Sequence, residues 1–93
     1  MSIKTSRFDM VDYLDSEEAI KEYFRQVMED GDPDEIICSL GHIARARGMM
    51  QLAQDTGLAR ESLYRALSDG AKPRFDTIMR VTNALGLKLT VAT

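Results

Sequence analysis

The chain has 93 residues, 29% of them charged and 44% hydrophobic, with a formal net charge of −3 at pH 7. That length holds one domain with a modest core and leaves no room for a separate catalytic domain, and the single cysteine, Cys38, allows no internal disulfide and agrees with a reducing compartment. No basic start followed by an apolar block opens the chain and no run approaches the ~20 apolar residues of a membrane span, so a soluble cytoplasmic protein is expected.

Residues 1–14 carry no convincing period and read as an N-terminal arm ahead of a single domain over 15–93. Asp15 and Glu18 have the spacing of an N-cap and its N3 partner. Ile20, Tyr23, Phe24, Val27 and Met28 then recur at helical intervals, which predicts an extra acidic helix over 15–30 that stops before Gly31. Asp32-Pro33-Asp34-Glu35 opens a second helix with a cap, a proline at the first helical position and an acid at N3. Ile36, Ile37, Leu40, Ile43 and Ala44 supply its apolar face, and Gly48 is placed to end it. Two short stripes, Met49/Leu52/Ala53/Thr56 and Leu63/Ala66/Leu67, predict a third and a fourth helix on either side of Gly57. There a tight bend needs positive φ, and Leu58 plugs the angle between the helices. Past Pro73, a fifth helix carries Phe75, Ile78, Met79, Thr82 and Leu85 on its inner side and ends at Gly86. The final stretch changes period: Leu87, Leu89 and Val91 alternate with Lys88, Thr90 and Ala92, as a half-buried strand over 87–92 would. The expected fold is all-α, a bundle of about five helices with its core over 33–86 and a short C-terminal β-strand.

Charge is segregated along this plan. Up to Glu35 there are four basic and eleven acidic residues, a balance of −7; from Ile36 onward eight basic and four acidic residues give +4. Such asymmetry hints at two partners of opposite sign, although an acidic segment is also what a solvated helix face looks like. The spacing of Ala53, Gly57, Leu58 and Leu63 is that of a helix-turn-helix; a plain helical hairpin shares the period. The outward residues of the fourth helix separate the two readings. Arg60, Glu61, Ser62, Tyr64 and Arg65 offer hydrogen-bonding groups near its start, where side chains reach base edges when such a helix enters the major groove. They are the candidate base readers, arginine above all, because its planar fork donates twice to guanine. Arg45, Arg47, Gln51, Ser68, Lys72 and Arg74 are the candidate phosphate contacts. Arg45 and Arg47 also suit a helix C-terminus, and Lys72 and Arg74 an ordinary solvated loop. One misfit is Ala59 at the fourth N-cap, where serine, threonine or asparagine is preferred.

Residues 33–86 resemble the lambda-repressor-type (Xre/Cro) helix-turn-helix domain. Taken with "FDMVDYLDSEEAIKEYF" at 8–24, nearly the whole chain is similar to the addiction-module antidote proteins, HigA-like antitoxins of bacterial toxin–antitoxin pairs. The most specific parts are "DYLDSEE", "IARARGM", "GLARESLYRALS" and "ALGLKL". The resemblance implies a helical bundle, operator-DNA binding with autorepression, and a small basic toxin of the RelE/ParE kind as partner. The acidic first helix and the C-terminal strand depart from a generic repressor domain, so the resemblance implies no particular dimer mode. For the toxin, Tyr23 and Phe24 share the core-facing stripe and read as structural, which leaves Phe8 and Tyr13 as anchors. For a homodimer, two-fold pairing of the strand through Leu87, Leu89 and Val91 would satisfy its exposed backbone groups.

No cofactor or metal is expected. Neither His42 nor Cys38 stands in a run of zinc ligands, no base neighbours Cys38 in sequence, no glycine-rich phosphate loop follows a strand, and no carboxylate pair stands out. The chain therefore reads as a binding protein and not an enzyme. A stand-alone transcriptional regulator, with the acidic helix merely packed on the bundle, is the alternative to the antitoxin.

Overall fold

The Ser16 hydroxyl accepts a hydrogen bond from the Ala19 amide at 3.0 Å and caps the first helix, α1 (Glu17–Asp30), in the computed structural model, which describes residues 13–89. The cap thus falls one residue later than Asp15. Glu17 and Glu18 occupy the first turn, where the helix dipole favours carboxylates. The other boundaries follow the punctuation. Asp32 caps α2 (Pro33–Arg47) by accepting from the Asp34 amide, with Pro33 in its first turn. Gly48 (φ 107°) closes α2 and opens α3 (Met49–Thr56). Gly57, at φ 77°, starts the three-residue turn to α4 (Arg60–Ala66), and α5 (Phe75–Ala84) completes the set. The described residues are all-α, with these five helices and no strand.

One apolar core joins the helices. Leu40, Ile43 and Ala44 of α2, Leu63 of α4 and Val81 of α5 are wholly buried, with Leu52 of α3 and Ile20 and Phe24 of α1 beside them. α1 packs on α2, while α3 touches α2, α4 and α5 and so holds the two short helices to the rest. Full burial of each Leu, Ile, Val or Phe among them contributes about 1.5–3 kcal/mol.

The packing departs from the sequence reading at three places. Leu14, read as part of the arm, is 4% exposed and belongs to the core, so the packed body begins before residue 15. Phe75, expected inside, is 71% exposed, whereas Val81 is fully buried. At 100° per residue, Ile78, Val81, Thr82 and Leu85 centre the inner arc of α5 and its C-cap, and Phe75 lies roughly 70° from that centre in the free first turn. The third concerns the strand. Gly86 (φ 76°) donates to the Asn83 carbonyl and Leu87 to that of Thr82 at 2.8 Å, a Schellman closure that turns Leu87 back into the core. No strand forms over the described part of the tail, Leu87–Leu89: a strand needs a partner edge, and the described residues offer none there. Val91 lies outside the described residues.

Candidate functional site

The turn between α3 and α4 is locked from inside. The Thr56 hydroxyl donates to the Leu52 carbonyl at 2.8 Å and accepts from the Leu58 amide at 3.2 Å, while an Arg80 guanidinium nitrogen from α5 lies 3.5 Å from the Thr56 carbonyl oxygen. Leu58 packs against the core beyond the turn. With Leu63 wholly buried, α4 can only present its other side, and Arg60, Glu61, Ser62, Tyr64 and Arg65 are all exposed. The Arg60 guanidinium carbon lies 5.8 Å from the centroid of the Tyr64 ring, a cation–π pair one helical turn apart. Ala59 makes no side-chain cap, so the expected weakness at this N-terminus is present.

Gly41 decides what lies beside this face. A β-carbon there would come 2.9 Å from the Leu67 carbonyl oxygen, so the middle of α2 and the end of α4 approach more closely than any larger residue allows. Gly41 has no positive φ; its missing side chain is what matters. The junction leaves a cleft of about 410 Å³ lined by Cys38, His42 and Arg45 of α2, Met49 of α3, and Tyr64, Ser68 and Asp69 at the far end of α4. The thiol of Cys38 donates to Asp69 at 3.5 Å; burial first, and then that carboxylate, push the thiol pKa up and keep it protonated. The Tyr23 hydroxyl of α1 lies 2.9 Å from His42 Nδ1, joining α1 to the cleft wall. Burial first, with the Glu35 carboxylate adding to it, raises the Tyr23 pKa, which keeps its hydroxyl protonated.

The structure sorts the sequence candidates. It brings Arg45, Tyr64 and Ser68 to one cleft, with Arg60 stacked on Tyr64, and the Ser68 hydroxyl donates to the Arg65 carbonyl at 2.9 Å. Among the described residues Arg45, Arg60 and Arg65 form no ion pair. Arg47 is placed differently. Only 31% of its side chain is exposed, and it donates to the Glu17 carboxylate at 2.9 Å and to the Leu85 carbonyl at 3.1 Å, tying α1 and the end of α5 to α2. Gln51 donates to Asp55, Lys72 faces Asp34 at 3.8 Å, and Arg74, at the N-cap of α5, pairs with Asp76 in its first turn. Tyr13 is 55% exposed, and Phe8 lies outside the described residues. The Gly41 contact and the Tyr23–His42 bridge went unread in the sequence. A glycine inside a helix, where alanine is better by about 1 kcal/mol, was the available signal for the first.

A second concave surface of about 770 Å³ runs between α1 and the tail, with Phe24, Met28, Leu87 and Leu89 at its floor and Lys21, Arg25 and Lys88 among its polar residues. No helix of the described residues is long and apolar enough to cross a membrane.

Residues 4–93 match the family model described as "Probable addiction module antidote protein". The chain is also 42% identical over 91 residues to an uncharacterized protein of Haemophilus influenzae strain Rd, an alignment covering 98% of this chain and 94% of that one. No solved structure matches significantly.

Proposed function

The chain belongs to the addiction module antidote family, and from that premise we propose a cytoplasmic antitoxin that neutralises a small basic toxin of the RelE/ParE kind and represses transcription from its own operator as a homodimer. The observation that carries the DNA half is the exposed face of α4. Arg60 and Arg65, with Arg45 beside them, present guanidinium groups with no carboxylate partner among the described residues, on a helix whose buried side is fixed by Leu63. In this reading α3, the Gly57–Ala59 turn and α4 form a helix-turn-helix, α4 enters the major groove, and Arg60, Ser62 and Arg65 read bases. Lys72 and Arg74 hold phosphates after releasing Asp34 and Asp76, weak exposed pairs that a phosphate displaces.

The toxin half rests on the family and on charge: the segment up to Glu35, at −7, suits a basic partner. Tyr13, with Phe8 before it, is the proposed anchor, and a truncation lacking residues 1–14 that still neutralises the toxin at equal dose refutes that assignment. Two tails pairing through Leu89 and Val91 would form the dimer, since Leu87 is already committed to its own core. Sedimentation of a chain shortened at residue 87 tests this, an unchanged dimer being the adverse result. The deciding experiment for the whole is binding of the purified protein to the duplex upstream of its own reading frame, together with growth rescue when it is co-expressed with the product of the adjacent frame. Operator binding without rescue would favour a stand-alone regulator.

A further inference from the structure

The cleft between α2 and the end of α4 joins a cation, a phenol and a carboxylate around an apolar floor. Arg45 has no ion pair among the described residues, and the Arg60 guanidinium stacks on Tyr64, so the cleft opens directly beside the exposed arginine face of α4. Met49 and Leu67, both buried, form its apolar floor. Tyr64 lines this cleft and sits past the first turn of α4, farther from the helix start than Arg60 and Ser62. Among the described residues Asp69 is the one carboxylate lining the cleft, and its partner there is the Cys38 thiol, which neutralises no charge.

Resting on the proposed DNA binding, we infer that this cleft seats one phosphate of the duplex backbone, with Arg45 as its counter-ion, the Tyr64 hydroxyl as its hydrogen-bond donor, and Asp69 as an opposing charge that holds affinity down. Tyr64 thereby passes from base reader to backbone contact. Arg45 and Asp69 act on the same bound anion with opposite sign, a signature that a merely structural pair lacks. Fixing a phosphate at this point sets how far α4 turns into the groove, since Gly41 holds the end of α4 against α2 without slack.

The test uses the full chain with two duplexes, the DNA upstream of its own reading frame and a random sequence of equal length, titrated by fluorescence anisotropy over a series of salt concentrations. Arg45→Gln is expected to weaken both duplexes by the same factor, about tenfold, and to reduce the salt slope by about one unit. Tyr64→Phe should weaken both alike with the slope unchanged. Asp69→Asn should tighten both. A scan replacing backbone phosphates one at a time by methylphosphonate should find a position that costs the wild type affinity and leaves Arg45→Gln indifferent. Selective loss of the upstream duplex in Tyr64→Phe, or an unchanged salt slope in Arg45→Gln with circular dichroism showing an intact fold, overturns the inference while leaving DNA binding standing. Wild-type protein that binds neither duplex overturns both.

Discussion

Arg25 on α1 and Arg65 on α4 are both exposed arginines on helices, and their surroundings are opposite. Arg25 is held by Glu22 and Glu29, each 2.7 Å away, at i−3 and i+4; the hydrogen bond from Arg25 draws the Glu22 carboxyl below its ordinary pKa, and the bond to Glu22 raises that of Arg25. Arg65 has Glu61 at i−4, a favourable spacing, and yet forms no ion pair among the described residues. On the acidic helix Arg25 is thus held by that helix's own carboxylates, while on α4 Arg60 and Arg65 form no ion pair among the described residues. Both arrangements occur on helices that share one apolar core.

The harshest way to break this comparison is to detach α4. Leu63→Ala removes a side chain that is wholly buried between α4 and the core, and it should cost about 2–5 kcal/mol, a large share of the about 5–15 kcal/mol available to a domain. Urea unfolding followed by circular dichroism measures it; a variant within experimental error of wild type would mean that α4 is not anchored through Leu63.

Exchanging the two arginines one at a time sharpens the contrast. Arg65→Ala should cost about 1–3 kcal/mol at the operator, spare random DNA, and leave the melting temperature unchanged. Arg25→Ala should lower the melting temperature slightly and leave DNA binding intact, because its partners are exposed and local. Equal loss on both duplexes would make Arg65 a backbone contact and pass base reading to Arg60 and Ser62.

A smaller effect is expected at the seam between the halves. Gly41→Ala gains helix propensity of about 1 kcal/mol but drives a methyl group against the Leu67 carbonyl, for which overpacking costs of about 1–3 kcal/mol are usual. Net destabilisation in denaturant is the expected sign. A stabilised variant would show that α4 can withdraw from α2.

The smallest effect is a pH dependence on the α1 side. The folded Tyr23 pKa lies above its ordinary value of 10.0, so the stability associated with this group is intact below that value and is lost as pH rises through the higher folded one. Unfolding midpoints should therefore fall more steeply in alkali for wild type than for Tyr23→Phe, which has no proton to lose. Parallel curves would remove Tyr23 as the cause.

What the sequence disclosed was local punctuation. Asp32-Pro33, Gly48, Gly57 and Gly86 act within a few residues of themselves, and each marks a boundary the structure has. The outward face of α4 was equally legible, because placing Leu63 inside turns Glu61 and Arg65 to the opposite side of the helix. Whatever depends on distant neighbours was not legible. Arg47 reads as a surface cation until Glu17 and Leu85 are brought to it, and Phe75 and Val81 exchange places once α5 is docked. Ser16 outcompetes Asp15 as cap by one residue, which periodicity does not resolve. The cleft beside Arg45 exists only through the contact of Gly41 with Leu67, residues 26 positions apart in the chain.

The bridge from Tyr23 to His42 has a practical consequence. The chain contains one histidine, and its ring lines the cleft on one side while meeting α1 on the other. Its imidazole carbon-bound protons therefore give a single pair of proton NMR lines, already assigned by composition and needing no isotope label. Those lines stand between the acidic helix and the arginine face. Adding DNA and then a protein partner, in either order, reports through one resonance whether occupation of one surface is felt at the other.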